Sequence, residues 1–177
     1  LNAWEVTERD RSNSNIVYFI DEQENFERHF KQLKIESTFL SSYSLFEHYF
    51  QSFTELYIDY FNLLLKISDL SGNNFIDKSK RYLEKVCLID LSSLNDTWNK
   101  ISSYQKIRNK IVHQNGYFKE NERNLINQIT QLEGIEVNRF LKIEFTDKIF
   151  ITEFWITFNA YMEGIIHQTK LKISNYT

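Results

Sequence analysis

Residues 39–67 read FLSSYSLFEHYFQSFTELYIDYFNLLLKI. Within them Phe39, Tyr43, Phe46, Phe50, Phe53, Tyr57, Tyr60, Leu64 and Ile67 recur at alternating intervals of four and three. An α-helix turns about once every 3.6 residues, so this spacing lines the side chains up along one face. The stretch predicts a helix of about eight turns, ending near Ser71 and Gly72. A stripe of that length serves either as the spine of a helical bundle or, in part, as a seam for a second subunit.

Upstream, Asp21 with Glu24 three residues on has the form of a capping box, which would open an earlier helix carrying Phe26, Phe30 and Leu33. Ile16 to Ile20 is a short apolar run compatible with helix or strand, and the polar stretch up to Asn15 reads as irregular. Residues 1–20 are therefore expected to form a partly irregular extension and residues 21–177 one helical domain. Downstream, Asn73 and Asn74 extend the turn, and a short helix carries Tyr82, Leu83 and Val86. Ser92 or Ser93 can cap the next helix, with Leu94, Trp98, Ile101, Tyr104, Ile107 and Ile111 on its apolar face. Asn115 and Gly116 stop it, because glycine tolerates the left-handed conformation at a helix end. A further helix is expected from Asn121 to Leu132, stopped by Gly134. The period then changes. Leu141, Ile143 and Phe145 alternate with polar residues, as a strand does, and Ile135 to Val137 can pair with them as a hairpin. Asp147 can cap the last helix, with Ile151, Phe154, Phe158, Met162 and Ile165 facing inward.

Composition agrees with long helices. Among 177 residues there is no proline and there are four glycines, while 15 Phe, 10 Tyr and 3 Trp supply packing area. One cysteine, Cys87, excludes an internal disulfide and fits a buried thiol in a reducing cytoplasm. No apolar run approaches the roughly 18–20 residues that a membrane span needs. The first residues are too polar for a signal peptide, and the start at Leu1 rather than Met fits a processed product lacking part of its native sequence. The Asn-x-Thr triplets at Asn95 and Asn175 would matter only in a secreted chain. A net charge of −3 gives no global signature for nucleic acid. Locally, six basic residues stand against Glu120 and Glu122 between Lys100 and Arg123, and such a patch can hold a polyanion on an acidic protein.

The sequence lacks a glycine-rich phosphate loop, paired Cys-x-x-Cys ligands, a His-Glu-x-x-His helix, Glu-x-x-His pairs and a Gly-x-Ser-x-Gly elbow. His29, His48 and His167 lie on separate segments with no ligand spacing, as surface or partly buried histidines do. No metal site and no cofactor are expected. What remains is Ile107-Arg108-Asn109-Lys110-Ile111-Val112-His113-Gln114-Asn115-Gly116: an arginine, an amide, an apolar pair, a histidine and a helix stop. Read structurally, Arg108 would make a surface ion pair and His113 would help cap the helix end.

The same segment resembles the HEPN family, whose signature is an arginine, four to six residues, then a histidine, commonly with asparagine directly after the arginine. Leu45 to Phe50 looks like an early helix of that family, and the run from Tyr82 through Trp98 to Gly116 looks like a subgroup of small bacterial members. The resemblance covers roughly residues 36–168, and only Arg108–His113 is sharp. It implies a mainly α, HEPN-like helical bundle, here with a small β-hairpin inserted before the last helix. It also implies a metal-independent endoribonuclease, often a toxin or antiviral defence effector, sometimes with an antitoxin. The products would be a 2′,3′-cyclic phosphate and a 5′-hydroxyl.

The chemistry suits these side chains. A histidine can take the proton of a ribose 2′-hydroxyl near neutral pH. An arginine keeps its charge and matches phosphate oxygens with its planar fork. Asn109 would orient the histidine or hold a phosphate oxygen. Lys106, Lys110, Lys119 and Arg123 would steer the RNA backbone, and Glu47 is a candidate support from the neighbouring helix. Five residues on one helix are about 140° apart around its axis. Arg108 and His113 therefore do not share a face, and a C2 homodimer that brings two motifs together is expected, as in the family. A non-catalytic RNA- or partner-binding module and a helical assembly domain are the competing readings.

Overall fold

The computed structural model describes residues 3–72 and 74–174, with side chains from residue 17 onward. Helix α1 runs unbroken over Ala3–Tyr60. It is followed by α2 (Phe75–Lys85), α3 (Asn95–Gln114), α4 (Arg123–Ile129), the hairpin strands β1 (Ile135–Val137) and β2 (Ile143–Phe145), and α5 (Ile149–Ser174). The protein is mainly helical, with one small antiparallel hairpin before the last helix.

Three sequence expectations need correction in α1. Residues up to Asn15 are helical from Ala3 onward, and Asp21–Glu24 lie inside the helix rather than capping its start. No proline or glycine interrupts this segment, so the polar residues continue the helix of their apolar neighbours. At the other end α1 stops at Tyr60, well short of Ser71. Asn62 takes a left-handed φ of 50°, which turns the chain, and Leu64 is left 98% exposed. Ile67 is buried all the same, on a short 3-10 turn. Helix α4 is also shorter than its expected Asn121–Leu132 span. Asn73, assigned to the turn, lies outside the described residues.

The core is built where the stripe predicts it. Phe39, Tyr43, Phe46 and Phe50 of α1 are fully buried against α5 and α3. Phe39 meets Phe150 and Phe154 at ring distances of 5.0 and 5.6 Å, and Phe154 meets Tyr104 of α3 at 5.1 Å. Edge-to-face rings such as these add about 0.5–1.5 kcal/mol per pair beyond area burial. The inner face of α5 carries Phe150, Phe154, Phe158, Tyr161 and Ile165, while Ile151 and Met162 are half-buried. Asp147 caps this helix through Ile149 N, as expected.

The hairpin fixes the end of α3. Asn115 is left-handed, with φ 50°, and Gly116 N bonds back to Lys110 O at 3.0 Å, closing a Schellman-type cap. The chain leaves this cap onto the sheet: Ile143 N donates to Gly116 O, and Phe118 N donates to Leu141 O. Gln32 of α1 clasps the other side of β2, its amide donating to Phe145 O at 2.6 Å and accepting from Phe145 N at 2.8 Å. The last turn of α3 is thereby tied through the hairpin to α1.

Candidate functional site

Helix α3 divides its residues between core and solvent. Ile101, Tyr104, Ile107 and Ile111 are buried; Asn109, Val112 and His113 are exposed; Arg108 is half-buried. Arg108 Nη1 donates to Asn109 Oδ1 at 3.1 Å. Asn109 and His113 are four residues apart and share a face, about 40° from each other. The amide of Asn109 therefore spans part of the gap between arginine and histidine. Asn109 and His113 thus share an exposed face along the last turns of α3, and the half-buried Arg108 reaches Asn109 from beside it.

Behind this face lies α1. Glu47 is half-buried, and burial pushes its carboxyl above the ordinary range while the Arg108 guanidinium opposes that shift. Tyr43, one turn earlier, is fully buried with no hydrogen-bond partner for its hydroxyl. Burial, then the charge of Glu47, pushes that phenol far up; Arg108 again opposes. Arg108 thus lies within electrostatic reach of two α1 groups while its Nη1 is held by Asn109. Tyr43 reads in the sequence as core alone, and the fold sets the charges of Glu47 and Arg108 near it.

The expected phosphate-steering residues separate into two groups. Lys110 is 5% exposed and does not point to solvent. Its Nζ meets both carboxylate oxygens of Glu122 at 2.6 and 2.5 Å and Gln114 Oε1 at 2.8 Å, and it lies 5.1 Å from the Phe118 ring centre. Its place beside Ile107 and Ile111 puts it on the inner side, so the expectation of a free phosphate-binding amine at this position is corrected. Lys106 is half-buried and donates to Gln128 Oε1 at 2.8 Å. Lys119 and Arg123 are exposed.

A second basic feature was not legible as a cluster. Lys31, Lys34 and Lys148 line a cleft of about 580 Å³ between α1 and the start of α5. Lys31 and Lys34 are one turn apart in sequence, but Lys148 reaches them only through the fold. Among the described residues, no group of three or more His, Cys, Asp or Glu side chains could hold a metal ion. Among the same residues, no helix is long and apolar enough to cross a membrane. Neither a family model, nor a curated protein, nor a solved structure matches the chain.

Proposed function

We propose that this chain is a metal-independent endoribonuclease of the HEPN kind, with Arg108, Asn109 and His113 as its site. The observation that supports this reading most is the hydrogen bond from half-buried Arg108 to Asn109, whose exposed face continues to His113. His113 takes the proton of a ribose 2′-hydroxyl, whose oxygen then attacks the adjacent phosphorus. The P–O5′ bond breaks, the 5′-oxygen receives a proton from an acid, and a 2′,3′-cyclic phosphate remains. Arg108 neutralises the charge that builds on the phosphate oxygens. An exposed helix face encloses no substrate, so a second copy of the chain forms the opposite wall of the cleft and supplies the acid from its own motif. Lys119 and Arg123 draw the RNA in. The resemblance further suggests a toxin or antiviral defence role, a cytoplasmic location, and an antitoxin or other protein partner.

Incubating RNA with the purified protein in EDTA, beside His113→Ala and Arg108→Ala, tests this. Cleavage that survives EDTA and is lost in both variants supports the assignment; equal cleavage in all three removes these residues from the chemistry. The second reading, RNA or partner binding without cleavage, is favoured by one observation. Lys106 and Lys110 bond inside the protein, which takes two of the four expected amines away from a substrate. RNA binding that weakens with salt, without products, would select it.

A further inference from the structure

A cleft of about 320 Å³ lies between α1 and the hairpin, lined by Arg28 and Glu36 of α1 and by Arg139, Phe140, Lys142 and Glu144. Among the described residues none of these five charged side chains stands in an ion pair, although both signs are present. One wall of the cleft is aromatic. Phe140 is 65% exposed, and the guanidinium carbon of Arg139 stands 4.7 Å from its ring centre. Lys142 links the cleft to a second exposed ring: its Nζ lies 5.4 Å from the ring centre of Tyr117, a residue 46% exposed. Tyr117 and Lys142 also face each other across a β-bridge. Tyr117 N donates to Gln114 O at 2.9 Å, which keeps the tyrosine within one turn of the end of α3, where His113 stands. The end of α3, Tyr117, Lys142 and the Phe140 cleft therefore follow one another as one surface of rings and cations.

Exposed rings interleaved with cations recognise single-stranded nucleic acid. Each ring stacks a base whatever its sequence, and each cation holds a phosphate. A duplex keeps its base faces stacked on one another and offers the rings nothing. The carboxylate of Glu36, unpaired in the same cleft, accepts from the amino groups of a base edge, whereas it would repel a ligand that is anionic throughout, such as an acidic peptide. We propose that single-stranded RNA runs from His113 across Tyr117 into this cleft, with one base stacked on Tyr117, another on Phe140, and phosphates on Lys142 and Arg139. That the strand is RNA rests on the ribonuclease reading; the stacking surface stands on the hairpin alone.

Fluorescence anisotropy of the full chain with a labelled single strand of 2′-O-methyl RNA tests it, since that strand binds but has no free 2′-hydroxyl to attack. Tyr117→Ala and Phe140→Ala should each weaken binding about tenfold, while Tyr117→Phe and Phe140→Tyr, which keep the ring, should bind within about twofold of the wild type. Neither ring belongs to the core, so all four variants should melt with the wild type. Lys142→Ala should flatten the salt slope by about 0.7, and the ring variants should leave that slope unmoved. Wild-type affinity in Tyr117→Ala and Phe140→Ala overturns the proposal. So does a duplex of the same sequence that binds as tightly as the strand, or a wild-type chain that binds no strand at all. Binding that needs both rings, with no cleavage of ordinary RNA by the wild type, upholds the stacking surface and overturns the ribonuclease reading alone.

Discussion

Lys110 and Glu122 are joined across the end of α3 by contacts at 2.6 and 2.5 Å, and the two partners are buried unequally: the lysine side chain is 6% exposed and the glutamate 26%. The asymmetry predicts unequal costs. Glu122→Ala strands an ammonium that water cannot reach, and should lower stability by about 3 kcal/mol. Lys110→Met leaves a carboxylate that water can solvate and should cost about 1–2 kcal/mol. Urea unfolding of the two variants checks the order; the reverse order would mean that Glu122, not Lys110, is the desolvated partner.

The same pair makes stability depend on acid. The side-chain bond from Lys110, then the bond from Lys119 N, holds the Glu122 carboxyl below its ordinary range. A carboxyl with a depressed folded pKa binds its proton first in the unfolded chain. Its contribution is therefore complete above the unfolded value and is lost as pH falls through the folded one. Acid unfolding of Glu122→Gln should be shallower than that of the wild type below about pH 4.5.

Glu47 carries the opposite sign. Burial raises its carboxyl pKa and Arg108 only partly offsets this, so the folded chain holds the proton more tightly. Stability then falls as pH rises from the unfolded value through the folded one, and the penalty is complete above it. Glu47→Gln should raise the thermal midpoint at neutral pH and lose that advantage near pH 4. Arg108→Ala should raise the Glu47 pKa further, because its one opposing charge is gone; a carboxyl NMR titration reads this directly, and an unmoved Glu47 would separate the two residues.

Much of the fold was legible because it rests on period. The stripe from Phe39 to Tyr57 is buried as its spacing requires, except for half-buried Phe53, and the hairpin and the Asp147 cap stand where alternation and cap chemistry put them. Helix ends were less legible. The stop at Tyr60 depends on a left-handed asparagine, Asn62, in an apolar context where Phe61 and Leu63 to Leu65 still look helical. The polar start of α1 lacked an apolar period, and a missing period does not break a helix. In the candidate site, Arg108, Asn109 and His113 were visible as letters. The fate of Lys110 was not, since it depends on Glu122 folding back from the next segment.

Cys87 offers a separate check on the core. It is buried, and burial pushes its thiol up to about 12. Since the thiolate is the reacting form, a disulfide reagent should modify it at neutral pH only as fast as the protein opens, and fully once urea unfolds it. Rapid modification of the native protein would mean that the end of α2 opens far more often than the rest of the bundle.

The salt dependence of RNA binding separates the amines that face solvent from those the fold has already used. For single-stranded nucleic acid each phosphate contact contributes about −0.7 to the slope of log K against log salt. Lys119 and Arg123 are exposed, so Lys119→Ala and Arg123→Ala should each flatten the slope by about 0.7. Lys110 is already neutralised by Glu122 and lies almost out of reach of water. Lys110→Met should therefore lower stability while leaving the salt slope within error of the wild type. A slope flattened as much by Lys110→Met as by Arg123→Ala would require the Lys110–Glu122 pair to open when RNA binds, and would return Lys110 to the binding surface.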